Sequence, residues 1–121
     1  MTNFKDSYTK DLKFASSLIR SRDFIKAKLL IDKLIEKNPN NKQLQMLYGD
    51  CLVGMGELGL ARSCFYDCLS ELELRAKCYT KIAWISEKLG EFSQALIYYK
   101  KALKINPKNS SILNSMGNIK K

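Results

Sequence analysis

The chain has 121 residues, one domain's worth of polypeptide, and its 45% apolar and 27% charged residues describe a globular chain rather than a disordered one. Lys and Arg outnumber Asp and Glu by 21 to 12, a formal charge of +9, and histidine is absent. That absence excludes imidazole metal sites, Ser-His-Asp and Cys-His nucleophiles and the commonest general base, while 6 Gly and 2 Pro are too few for the turns of most sandwiches and barrels.

The N-terminal stretch, Met-Thr-Asn-Phe-Lys-Asp-Ser-Tyr, has no apolar signal core, and no later run approaches the ~20 apolar residues of a membrane span. A cytoplasmic chain with no membrane span is expected. The first helical pattern, with apolar residues three and four apart, runs over Thr9–Arg20. After Arg22 a second runs over Phe24–Lys37 and stops at the turn residues Asn38-Pro39-Asn40-Asn41. Gln43–Val53 and Leu58–Leu72 form the next pair, joined through Gly54, Gly56 and Gly59. Each glycine costs up to ~1 kcal/mol inside a helix, so this pair is expected to be the softest. Ser70 to Ala76 contains no breaker, so either a tight turn or a longer helix is expected there. Lys77–Leu89 and Phe92–Ile105 follow around Gly90, and Asn106-Pro107-Lys108-Asn109 repeats the earlier turn chemistry. A last helix is expected over Ser110–Lys121. Asp23, Glu57 and Glu91 open the second helix of each pair, where an acid suits free N–H groups and the positive dipole end.

Written in rows of 34 from Tyr8, Lys42 and Ala76, the sequence falls into register without a gap. Ala27, Ala61 and Ala95 share a column. So do Ile31, Phe65 and Tyr99, then Leu34, Cys68 and Ala102. In the first helices Phe14, Tyr48 and Ile82 precede the small residues Ala15, Gly49 and Ala83. Leu18, Leu52 and Ser86 come next. Gly56 and Gly90 hold the hairpin turn where the first row has Arg22. Pro39 and Pro107 close rows one and three, where row two has Glu73. The small columns let paired helices approach closely, and the large columns fill the gaps between pairs.

A 34-residue helix-turn-helix unit of this pattern resembles the tetratricopeptide repeat family. The third row carries the resemblance best, through Tyr79, Ile82-Ala83, Leu89-Gly90, Phe92, Ala95, Tyr99, Ala102 and Pro107. The resemblance implies an all-α, right-handed superhelical solenoid of antiparallel helix hairpins. It implies a single domain over residues 1–121, with repeats at 8–41, 42–75 and 76–109 and a capping helix at 110–121. It also implies a non-catalytic adaptor that binds a partner peptide or helix in a groove lined by the first helices. By register the expected contacts are Leu12, Lys13, Ile19, Met46, Asp50, Val53, Lys77, Lys81, Trp84 and Lys88. Leu12, Ile19, Met46, Val53 and Trp84 fall at positions the core does not need. Trp84 is the best candidate anchor. Some family members clamp the C-terminal carboxylates of heat-shock chaperones. Lys77 and Lys81 match that clamp's third-unit pair, while Leu12, Ser16 and Leu47 depart from it.

The charge is uneven: 8 basic against 4 acidic residues in the first row, 3 against 5 in the second, 7 against 2 in the third. Two basic ends around an acidic middle favour an acidic or amphipathic protein partner over a nucleic acid, whose readers carry a continuous basic stripe. Cys64 and Cys68 face the same way on one helix, but Cys68 already fills a small-residue column, so packed free thiols are expected and no metal. No phosphate loop, nucleophile elbow or cofactor motif is present, and neither an enzyme nor a cofactor is expected. Self-assembly through the solenoid ends, as a homo-oligomer, and a small secretion-type chaperone are the alternative functions. The chain ends after one helix of a fourth unit and is open to being a fragment.

Overall fold

The computed structural model describes residues 4–120, with side chains described from Ser7 to Ile119. Among the described residues seven α-helices follow one another: α1 Phe4–Arg20, α2 Phe24–Lys37, α3 Lys42–Gly54, α4 Leu58–Cys68, α5 Arg75–Lys88, α6 Phe92–Ile105 and α7 Ser110–Lys120. One 3-10 turn, Leu72–Leu74, lies between α4 and α5. The described residues contain no strand. The expected end of the last helix, Lys121, lies outside the described residues. No helix among the described residues is long and apolar enough to cross a membrane.

Three turns share one geometry, and its hydrogen bonds explain it. The amide of Arg22 donates to Ile19, that of Gly56 to Val53 and that of Gly90 to Glu87, each at 3.0–3.1 Å. The next amide in each turn, from Asp23, Glu57 or Glu91, reaches five residues back at 2.8 Å. This is the Schellman closure, and it puts one residue in the left-handed region. Gly56 and Gly90 take it at φ 84° and 81°, and Arg22 takes it at φ 65°. Asp23 and Glu91 therefore serve the turn through their backbone N–H groups. Neither side chain makes a capping hydrogen bond, contrary to the role expected of an acid there. Asp23 instead pairs with Lys26 at 3.8 Å.

Left-handed arginine costs about 1 kcal/mol relative to glycine, from its Cβ. Its guanidinium lies 5.8 Å from the Phe24 ring centroid, an exposed contact that returns about 0.5 kcal/mol. Arg22→Gly should therefore raise stability by roughly 0.5 kcal/mol, a gain of about 2–4 °C in melting temperature by circular dichroism. A fall would show that the arginine contact outweighs its backbone strain.

Helix α1 begins at Phe4, five residues ahead of the expected Thr9, because nothing from Phe4 to Tyr8 breaks a helix. Helix α4 stops at Cys68, four residues short of the expected Leu72. Between the two expected outcomes for this segment, the chain takes the tight turn. Ser70 Oγ donates to Asp67 O at 3.3 Å, and the Leu74 amide donates to Glu71 O at 3.1 Å. Arg75 Nε then donates to Leu69 O at 3.0 Å, satisfying a carbonyl at the end of α4. Elsewhere an asparagine does the capping. Asn41 Oδ1 accepts from the Leu44 amide, and Asn109 Oδ1 from the Ile112 amide, both at 3.1 Å.

Contacts divide the chain into two compact units whose boundary falls inside α4, between Cys64 and Phe65, where the sequence is read as one domain. In the first unit α2 packs on both α1 and α3, around Ala15, Ala27, Ile31 and Cys51. In the second α6 packs on both α5 and α7, around Ala83, Ala95, Tyr99, Ala102, Ile112 and Met116. The column positions from Ala27 to Ala102 in the second helices are all buried. Phe14 breaks its column: it is 59% exposed, whereas Ile82 is fully buried, because no described helix covers that side of α1. Lys10, Ser17 and Ser21 share that exposed side. The counterparts of Lys10 and Ser17, Leu44 and Cys51 in α3 and Cys78 and Ile85 in α5, are apolar and fully buried, whereas those of Ser21, Met55 and Leu89, are apolar and exposed.

Candidate functional site

The first helices each turn one side away from their hairpin partner, and those sides carry the expected contacts other than Met46. In the first unit α1 offers half-buried Leu12 and Ile19 and exposed Lys13, and α3 offers half-buried Asp50 and Val53. Ile19 and Asp50 come together with Ser16, Arg20 and Leu47 around a recess of about 200 Å³. Met46 does not belong to this surface. It is 8% exposed, because α3 buries a broad set of positions, Leu44, Met46, Gly49, Cys51 and Leu52, rather than a narrow stripe.

In the second unit Lys77, Lys81, Trp84 and Lys88 follow one another on α5 at spacings of four, three and four, which places them on one face. The Lys88 ammonium lies 5.4 Å from the Trp84 ring centroid, and Trp84 is 40% exposed. The Lys81 ammonium lies 5.6 Å from the ring of Phe65, which is fully buried. A buried ring thus positions a cation at the surface, with its aliphatic stem covering apolar ground. Lys77 and Lys81 also wall a cavity of about 490 Å³ with Thr80, Ala102, Asn106 and Asn109. Sequence reasoning read Asn106 and Asn109 only as turn chemistry. The signal it passed over is a comparison of the rows at positions where a large residue becomes small.

Glu87, one turn from Trp84, is held from behind. Tyr99 of α6 donates its hydroxyl to Glu87 Oε1 at 3.0 Å. Burial, then the hydrogen bond to Glu87, pushes the Tyr99 phenol up from 10 to about 12. A folded-state value above the unfolded one means that this group's stabilisation is whole below pH 10 and is lost as pH rises towards 12. Tyr99→Phe should cost about 1 kcal/mol at neutral pH through the lost hydrogen bond. It should also flatten the fall in stability between pH 10 and 12, measured by urea unfolding of both proteins. An identical alkaline slope in the variant would place the ionisation elsewhere. All four cysteines are free thiols, and Cys51, whose Sγ donates to Phe24 O at 3.2 Å, has its pKa raised by burial. No group of His, Cys, Asp and Glu among the described residues is arranged to hold a metal ion.

Residues 76–109 match the family model for the tetratricopeptide repeat. No curated protein matches the sequence. Among solved structures, the type III secretion chaperone SycD of Yersinia enterocolitica, in complex with a peptide of the translocator YopD, is similar at TM-score 0.83 and 15% identity. That match covers 95% of this chain and 93% of SycD. The first TPR domain of Spaghetti (RPAP3), bound to an HSP90 peptide, is similar at TM-score 0.82 and 15% identity, covering 93% and 90%. The TPR domain of Arabidopsis OM64 is similar at TM-score 0.82 and 13% identity, with 94% of each chain covered. At these identities the likeness is one of fold, and it agrees with the helix hairpins, the buried small-residue columns and the 34-residue register. Residues 76–109 match one tetratricopeptide repeat, and the chain as a whole has the fold of the tetratricopeptide repeat domains it resembles.

Proposed function

We propose that this chain is a non-catalytic adaptor that holds an acidic, amphipathic segment of a protein partner against its first helices. The observation that carries this reading is the single face of α5 on which Lys77, Lys81 and Lys88 surround the half-exposed Trp84. An indole offers a large anchor, and three ammonium groups around it favour carboxylates. Two of the similar structures hold peptides, one from HSP90 and one from YopD, which supports a peptide as the kind of partner. Leu12, Lys13, Ile19, Asp50 and Val53 form a second contact set on the first unit, with Met46 beneath it as packing.

Stacking of copies end to end is the weaker alternative. It would have to bury Lys10 and Ser17, whose counterparts in later hairpins are apolar and buried. The secretion-chaperone alternative rests on the likeness to SycD alone.

The test is a titration of the ¹⁵N-labelled protein with acidic amphipathic peptides selected from a displayed library. The expected result is movement of α5 amides, and at least a tenfold loss of affinity in a Trp84→Ala, Lys81→Ala double variant whose helicity is unchanged. Equal affinity in the double variant, or shifts confined to the outer faces of α2 and α6, would overturn the reading.

A further inference from the structure

The cavity beside Lys77 and Lys81 has a counterpart by register in the first hairpin, where larger side chains stand. Two repeat lengths earlier, Tyr8 stands where Ala76 stands, Leu34 where Ala102 stands, and Leu12 where Thr80 stands. In the first hairpin the Tyr8 ring is half-buried, and its hydroxyl accepts a hydrogen bond from Asn41 Nδ2. Asn41 is held in place by its other end, because its Oδ1 accepts from the Leu44 amide at 3.1 Å. Asn109, the counterpart of Asn41, makes the same cap with the Ile112 amide at the same distance. The amide is therefore built as in the first hairpin, and its Nδ2 is the donor that Asn41 gives to Tyr8. What is missing is the ring. Three large side chains have become Ala, Ala and Thr, and about 490 Å³ is left open.

We infer that this cavity receives a tyrosine side chain from the partner peptide, its hydroxyl accepting from Asn109 Nδ2 and its ring filling the space that Tyr8 fills in the first hairpin. Lys77 replaces Thr9 of the first hairpin, and Lys81 keeps the charge of Lys13. Both wall the cavity, so carboxylates beside the tyrosine would meet ammonium groups. The preferred ligand is a tyrosine flanked by acidic residues. This rests on the reading of the first helices as a peptide-binding surface and specifies one anchor within it.

Three blocked pentapeptides test it, each with two glutamates on either side of a central tyrosine, phenylalanine or alanine. The tyrosine peptide should bind best and shift the Asn109 side-chain amide resonance. The phenylalanine peptide should bind roughly fivefold more weakly, as one hydrogen bond requires. The alanine peptide should bind at least tenfold more weakly. Ala76→Tyr rebuilds the arrangement of the first hairpin and should abolish the preference. Asn109→Asp keeps the cap but removes the donor, so it should equalise tyrosine and phenylalanine. Equal binding of all three peptides, or a tyrosine preference that survives both substitutions, overturns the assignment. So does N-acetyltyrosinamide binding as tightly as the tyrosine peptide. A library-selected peptide that still depends on Trp84 and Lys81 would then leave the adaptor reading standing; loss of that dependence would remove both.

Discussion

Phe65→Ala should lower the unfolding free energy by about 3–5 kcal/mol, the usual cost of deleting a fully buried aromatic ring. Phe65 sits in the column of Ile31 and Tyr99, has no exposed surface, and carries the Lys81 ammonium over its face at 5.6 Å. The ring thus has two roles, and two variants separate them. Phe65→Leu keeps most of the volume and should cost less than about 1.5 kcal/mol. It removes the aromatic face, so Lys81 loses its seat while the fold stands. Affinity for the acidic peptides should change by roughly two- to fivefold in that variant, matching a cation–π contact of about 0.5–1 kcal/mol. Urea unfolding and peptide titration of both variants give the answer. If Phe65→Leu binds as the parent does, the ring only packs and does not position the lysine.

Gly54→Ala and Gly59→Ala should shift stability in opposite directions. A Cβ on Gly54 would lie 2.2 Å from two carbons of the Phe24 ring, far inside contact distance. Phe24 has limited room to yield, because its ring packs against the first unit's core. Overpacking of this kind costs about 1–3 kcal/mol, against a helix-propensity gain of up to ~1 kcal/mol. A Cβ on Gly59 meets nothing within 4 Å, so that alanine should stabilise by about 0.5–1 kcal/mol. Thermal melts of the two single variants decide it. Two gains of similar size would mean that Phe24 swings aside freely. The three glycines that mark this hairpin as soft in the sequence thus have separate reasons: Gly54 a close approach, Gly56 a left-handed turn, and Gly59 no constraint.

The fold was legible because it is written three times. A column shared by Ala27, Ala61 and Ala95 averages out the noise of any one row, and Pro39 and Pro107 fix the phase. Legibility failed where one row goes its own way. Helix α4 ends early because Arg75, where the other rows have an asparagine, caps it through a long side chain to Leu69, which no spacing rule anticipates. Asp23 and Glu91 look like helix caps in sequence, but the Schellman turn uses their amides and leaves their carboxylates out. Met46 falls on the groove face by register, yet a flexible side chain on a broadly buried helix turns inward. The lysines of α5 were visible as charges at helical spacing. Their cavity was not, since it is made by what Ala76 and Ala102 lack.

The polar side of α1 bears on how such an array could lengthen. A duplicated 34-residue unit placed directly against it would have to dehydrate the Lys10 ammonium and the Ser17 hydroxyl, with only Phe14 gaining cover. A duplicate inserted behind α2 would meet the surface that Leu44 and Cys51 already fit. A copied unit is therefore accommodated behind α2 at less cost in dehydration than directly against this side of α1.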